Sequence, residues 1–297
     1  MSLQLKAAAL SDKGRTRDVN EDTVYQTVAS VPGEDSMGLL IVADGIGGRL
    51  EGAVASYWAV ETIKDSLADL FSLRDPRDTA QFSRKEILDA VASVRNSHDT
   101  GRFDKEEIVS AEIPSRADHA YLTDRVKAAV NRANGAVRQY ASARLGKAGD
   151  AGTTISMAVV QGSMVVIANV GDSRTYRLRN GEMRQITKDH SVIQRMVDAG
   201  MAQPEQLYTH PSRNLIYRSL GADNSVKIDI FAPAIAPGDY LLLCTDGLWE
   251  MVQSPGEIAD IIYRATSVDA ACTSLVEAAN AAGGEDNIGV VVAHAYE

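Results

Sequence analysis

Four short stretches hold the residues best suited to chemistry: TRDVNEDTV (16–24), VADGIGG (42–48), CTDGLWE (244–250) and GGEDNIGVVV (283–292). Asp44 and Asp246 each end an apolar run and precede a glycine, Gly45 and Gly247, which lets the backbone turn sharply. Asp286 stands just before an apolar run, and Glu21 and Asp22 do the same before TVYQTVA. Carboxylates at strand ends are held by a rigid scaffold yet project into a cleft. Several of them at one rim repel strongly unless a cation neutralises them. A set of carboxylates without cysteine or a histidine pattern suits magnesium or manganese rather than zinc or copper. Two such ions bridged by one carboxylate can hold a water, lower its pKa and aim it at phosphorus. Arg17, four residues before Glu21, would supply a forked donor for phosphate oxygens.

Each stretch alone has an ordinary explanation. A lone Asp-Gly after a strand is a common turn, and a lone Asn-Glu-Asp is a solvated loop or a helix cap. Four together, each with a strand on the expected side, favour a shared site over coincidence.

The elements that must position these acids follow from periodicity. Strand-like runs are 3–9, 23–29, 37–43, 153–160, 163–170, 174–179, 183–187, 226–231, 239–245 and 288–295. Their short spacing favours antiparallel pairing, with Gln161-Gly162 and Asn180-Gly181 as two-residue hairpin turns. Helical stripes run from Ala53 to Phe71 (Val60, Ile63, Leu67, Leu70) and from Leu122 to Tyr140 (Val126, Ala129, Ala133, Val137). A third helical region covers about 256–282. An α+β fold accounts for the pattern: a sandwich of two antiparallel sheets flanked by helices. Residues 72–120 are polar, include Pro76 and Pro114, and are too long for an ordinary helix connection, so they read as an insertion in a single domain spanning 1–297.

Bulk properties narrow the function. The chain is 45% hydrophobic and 24% charged, which is a globular composition. No apolar run reaches the ~18 residues of a membrane span, and the start lacks a secretory pattern, so a cytoplasmic protein without membrane association is expected. Cys244 and Cys272 are too few for a disulfide framework and read as small buried hydrophobes. A net charge of −10 without a basic block makes nucleic acid a poor partner and disfavours a two-metal nuclease.

With these motifs in hand, the sequence resembles the metal-dependent PP2C protein phosphatases, in their bacterial serine/threonine branch. The matching run is SDKGRTRDVNED, VADGIGG, GTTISMAVV, ANVGDSRTYRL, TKDHS, HPSRNLIYRSLG, LLLCTDGLWE and EDNIGVVV, almost the whole chain outside 72–120. The resemblance implies a dinuclear Mn2+ or Mg2+ site at one end of the sandwich. Asp44 would bridge both ions and the Gly45 carbonyl would bind one. Asp246 and Asp286 would bind the other, and Glu21 would act through a bound water. Asp22 and Asn287 would orient these ligands, and Arg17 would clamp the phosphate. The implied reaction is direct hydrolysis of phosphoserine or phosphothreonine by a metal-bridging hydroxide, reversing a bacterial kinase, with a phosphorylated protein as substrate and a monomer as the family default.

Two positions depart from the family. Ile46 stands where many eukaryotic members have a histidine, so either the leaving alkoxide takes its proton from metal-bound water or turnover is slower. An aspartate that often holds a third metal is replaced by Gly149, with Asp150 one residue later, so a third site is doubtful. Asp172 reads as a strand-end turn, His190 as a structural hydrogen-bonding residue and Trp249 as packing. Gly47 and Gly48 allow a tight turn into the first helix. Residues 192–220 resemble a flap beside the site, from which Arg213 could contact substrate. The rival to catalysis is a pseudophosphatase, but such proteins lose metal-binding acids and none is missing here. The 72–120 segment reads either as a docking surface or as a solvated loop.

Overall fold

The computed structural model describes residues 2–30, 33–47, 50–71, 119–145, 149 and 151–297. Twelve strands are described: β1 (Gln4–Asp12), β2 (Thr23–Ala29), β3 (Met37–Ala43), β4 (Gly45–Ile46), β5 (Gly152–Thr153), β6 (Ile155–Gln161), β7 (Met164–Val170), β8 (Arg174–Arg179), β9 (Glu182–Gln185), β10 (Asp229–Phe231), β11 (Tyr240–Cys244) and β12 (Ile288–Tyr296). The helices are α1 (Leu50–Phe71), α2 (His119–Leu145), α3 (Val192–Asp198), α4 (Asp246–Trp249), α5 (Pro255–Arg264) and α6 (Val268–Ala281), with a 3-10 turn at Pro204–Leu207.

One sheet runs β1-β12-β11-β8-β9 and the other β10-β7-β6-β3-β2, with β4 and β5 as a small separate two-stranded sheet. All pairings are antiparallel, as the short spacing predicts. The strand side chains sort by period two. Leu39, Ile41, Met157 and Val159 face α1 and α2 on one outer side. Leu242, Cys244, Val290 and Val292 face α5 and α6 on the other. Leu40, Val42, Ala158, Val160, Leu241, Leu243, Val291 and Ala293 interdigitate between the sheets. Strands buried on both faces must be apolar throughout, which is why β3 and β6 read as continuous hydrophobic runs rather than alternating ones.

Several expectations shift in detail. The 226–231 run is a strand only over Asp229–Phe231, although Val226 and Ile228 pack on the core. The 256–282 region is two helices. Ala265 leaves helical geometry at ψ 143°, and Ser267 restarts it by accepting the Ala270 N–H through its side chain. The Asn180-Gly181 turn has positive φ at both residues, as a two-residue hairpin with the sheet's twist requires. The first hairpin is displaced by one residue: Gln161 pairs with Met164, so Gly162 and Ser163 form the turn. The insertion expected at 72–120 lies outside the described residues, except that His119 and Ala120 begin α2. Among the described residues no helix is long and apolar enough to cross a membrane.

Candidate active site

The acids come together because antiparallel strands place their ends at one rim. Asp44 separates β3 from β4, Asp246 opens α4 directly after β11, Asp286 precedes β12, and Glu21 and Asp22 precede β2. Local hydrogen bonds then set each one. The Asp44 N–H donates to Thr154 Oγ1 (3.0 Å), and its carbonyl accepts from Thr153 Oγ1 (2.8 Å) and the Thr154 N–H (2.8 Å). Asp22 Oδ2 accepts from Thr245 Oγ1 at 2.7 Å, and that hydroxyl accepts the Gly289 N–H at 2.8 Å. One threonine therefore ties the Asp22 loop to the Asp246 strand and to β12.

Asn287 acts as the hub of the amino-terminal loop. Its Oδ1 accepts the Glu21 N–H (2.8 Å), and its amide donates to the carbonyls of Lys13 (2.9 Å) and Val19 (3.0 Å). The loop that carries Arg17 and Glu21 is thereby fixed to the residue after Asp286. Helix α1 closes the other side. The Gly45 N–H donates to the Glu21 carbonyl (3.2 Å), which also accepts from Ser56 Oγ (2.6 Å). Gly52, in the first turn of α1, lies so close that a Cβ there would overlap Glu21 Oε1 and stand 2.8 Å from the Gly45 carbonyl. Sequence reading missed Gly52 and Ser56. A glycine and a serine within a helical stripe are the one local signal that something approaches that helix closely.

The electrostatics report the convergence. Burial pushes Asp44 well above the carboxylate range, and the charges of Asp246, Asp22, Asp172 and Asp286 add to it. Burial does the same to Asp246, followed by Asp172, Asp286, Glu250 and Asp22. Asp22 rises to about 7, chiefly by burial and against its Thr245 hydrogen bond. Asp172, read from the sequence as a turn residue, is buried in this wall and also rises to about 7, through burial and then Asp189. Among the described residues, no three acidic, histidine or cysteine side chains are already closed into a coordination shell. The acids are gathered at charge-coupling range.

The donor set nevertheless fits hard divalent cations. It is all oxygen, crowded and negative, and Asp22 Oδ1 is buried without a hydrogen-bond partner. A cation removes the repulsion and the desolvation cost together. A groove of about 710 Å³ beside Lys6, Tyr240 and His294 contains none of these acids. Charge, not volume, marks the site.

The remaining expected residues divide. Arg17 Nη2 meets Asp286 Oδ2 at 2.6 Å, so the expected phosphate clamp holds an expected metal ligand instead. Arg213 Nε faces Glu250 at 3.5 Å and links the 192–220 segment to the end of α4. His190 is structural: its Nδ1 accepts the Gly171 N–H (3.0 Å), and its Nε2 faces Asp229 (3.2 Å) beside Arg218. Trp249 is buried under the Arg174 guanidinium, 3.5 Å from its ring centre, and Arg174 is itself paired with Asp189 at 2.7 Å. Both cysteines are buried and free. Gly47 has φ 143° at the turn before α1. Asp150 and Gly48 lie outside the described residues.

Comparison with known proteins agrees with this geometry. The family model for protein phosphatase 2C matches residues 15–278. The serine/threonine phosphatase Stp of Listeria welshimeri is 32% identical over 95% of this chain and 92% of its own. The serine/threonine protein phosphatase PstP of Mycobacterium tuberculosis is 30% identical over 99% of this chain, which spans 45% of that protein. Among solved structures, the catalytic domain of PstP in complex with two manganese ions superposes with a TM-score of 0.72 at 30% identity over the whole of both chains. The Streptococcus agalactiae serine/threonine phosphatase has a TM-score of 0.74 at 27% identity, over 99% of this chain and all of that one. The chain belongs to the protein phosphatase 2C family, among its bacterial serine/threonine phosphatases.

Proposed function

We propose that the chain hydrolyses phosphoserine and phosphothreonine in proteins with the help of two divalent cations, Mn2+ or Mg2+, and so reverses a serine/threonine kinase. The observation that carries this is the gathering of Asp44, Asp246, Asp22 and Asp172 into one wall whose carboxyls repel one another in burial. The manganese pair in the PstP catalytic domain supports the same number and kind of ion. Asp44, the Gly45 carbonyl, Asp246, Asp286 and Glu21 would hold the cations, with Asp22 and Asn287 fixing them from behind. Bound there, the ions supply a water acidified to hydroxide near neutral pH and offset the charge of the phosphoryl group.

The chain itself binds and orients. Arg17 is free to serve phosphate once Asp286 is taken by a cation, and its fork then donates to phosphoryl oxygens. Ile46 holds no proton, and His190 is committed to Gly171 and Asp229, so the leaving alkoxide takes its proton from water. Asp172 adds negative charge behind Asp246, which strengthens cation binding without requiring direct ligation. A charge of −10 without a basic stripe supports a protein substrate over nucleic acid. A monomer acting in the cytoplasm fits this reading.

The test is phosphate release from a phosphothreonine peptide with and without manganese, for wild type beside Asp246→Asn. The substitution keeps size and removes one ligand charge. Wild type should turn over only with a divalent ion, and Asp246→Asn should lose about 100-fold or more while remaining folded. A folded wild type inactive with every divalent ion tried would refute the assignment.

A further inference from the structure

The solvent face of α1 changes character along its length. Its core face carries Ala55, Ala59, Val60, Ile63 and Leu67. The opposite face, at helical spacing, reads Leu50, Val54, Tyr57 and Trp58, and then Glu61, Asp65 and Asp69. Leu50 is 67% exposed, Tyr57 51% and Trp58 47%, with the two rings edge to face at 6.0 Å. Ile46, one residue beyond Gly45 in the strand that Gly52 abuts, is 37% exposed as well. A contiguous aromatic and aliphatic strip on a solvated helix face marks a binding surface.

We infer that this strip docks the protein substrate, by burying an apolar side chain about three to five residues from the phosphorylated one. The inference rests on the phosphatase reading, and it names what that site recognises beyond phosphate. Continuity supports the occupant. Gly52 abuts Glu21 and Gly45, so the first turn of α1 borders the site. From Leu50 to Trp58 the helix rises about 12 Å. An extended peptide covers that in about four residues. Two of the three acids on the other half are already engaged, Glu61 on Lys64 at 2.6 Å and Asp69 on Arg125, so the apolar half is the recognition element.

The experiment uses the full chain with manganese and two kinds of substrate. One is p-nitrophenyl phosphate, too small to reach the strip. The other is a phosphothreonine peptide series identical except for leucine or serine four residues to either side. Wild type should prefer a leucine peptide by roughly tenfold in kcat/KM, mainly through KM. The double variant Tyr57→Ser, Trp58→Ser should lose that preference while hydrolysing the aryl phosphate within about twofold of wild type. Both side chains are half exposed, so the thermal midpoint should hold; if it falls, Trp58→Ser alone carries the same comparison. No leucine preference in wild type, or a preference that survives substitution, overturns the inference while aryl phosphate turnover keeps the phosphatase reading. Faster peptide hydrolysis by the variant, or a wild-type dimer that the variant splits, overturns it in favour of this chain's own segment or a second copy. Failure of wild type on the aryl phosphate as well removes the phosphatase reading and the docking site with it.

Discussion

Replacing Gly52 with alanine sets two physical effects against each other. Gly52 lies in the first turn of α1 with no positive φ, so helix propensity alone predicts that alanine stabilises by about 1 kcal/mol. The packing predicts the opposite. The added Cβ would overlap Glu21 Oε1 and sit 2.8 Å from the Gly45 carbonyl carbon and oxygen. Glu21 can swing its carboxylate away, but the Gly45 backbone is held by its bond to the Glu21 carbonyl and by its pairing with Thr153. The start of α1 must therefore move off the site. Overpacking of this kind costs about 1–3 kcal/mol, so after the propensity gain the net change is a loss of about 0–2 kcal/mol. The functional change should be larger, because Glu21 is displaced from the wall of acids it shares with Asp22. Urea unfolding gives the stability, and calorimetric titration with manganese gives the affinity, which should weaken by about 10-fold or more. A Gly52→Ala protein more stable than wild type, with unaltered manganese binding, would refute the close approach of α1 to the site.

Two further outcomes follow from the electrostatics. In metal-free protein Asp22 and Asp172 have pKa values raised from 3.8 to about 7, so the folded chain holds more protons than the unfolded chain between those values. Stability therefore falls as pH rises through that window, by at most about 4 kcal/mol for each carboxyl and less where they share a proton. The melting temperature of chelator-treated protein should drop from about pH 5 to about pH 7.5 and recover with manganese; a flat or rising profile contradicts the buried acid wall. Arg17→Ala should change stability by less than about 1 kcal/mol, because the pair with Asp286 is 46% and 30% exposed. Its KM for a phosphopeptide should rise about tenfold through the lost charge-assisted bonds, and an unaltered KM would remove Arg17 from the phosphate site.

The sequence by itself determined which segments become strands and which of their ends carry charge. Thr23–Ala29, Met37–Ala43 and Arg174–Arg179 have in the structure the limits that their composition and flanking turn residues imply. These limits are local properties of side-chain pattern and turn chemistry, and a chain carries them wherever it folds. The acids at Asp44, Asp246 and Asp286 were legible for the same reason. Only the tertiary structure decided what meets what. It paired Asp12 with Ile288 across nearly the whole chain, broke 256–282 at Ala265, and brought Asp172 behind Asp246. It also turned Arg17 onto Asp286 and packed Gly52 against Glu21. The pairings of Asp12, Asp172 and Arg17 leave no local trace, because each depends on a partner far away in sequence, whereas the break at Ala265 and the approach to Gly52 leave only the faint signals of a capping serine and a glycine within a helical stripe. The pKa of a carboxyl follows from burial and from neighbouring charges, and both exist only once the two sheets have closed on each other.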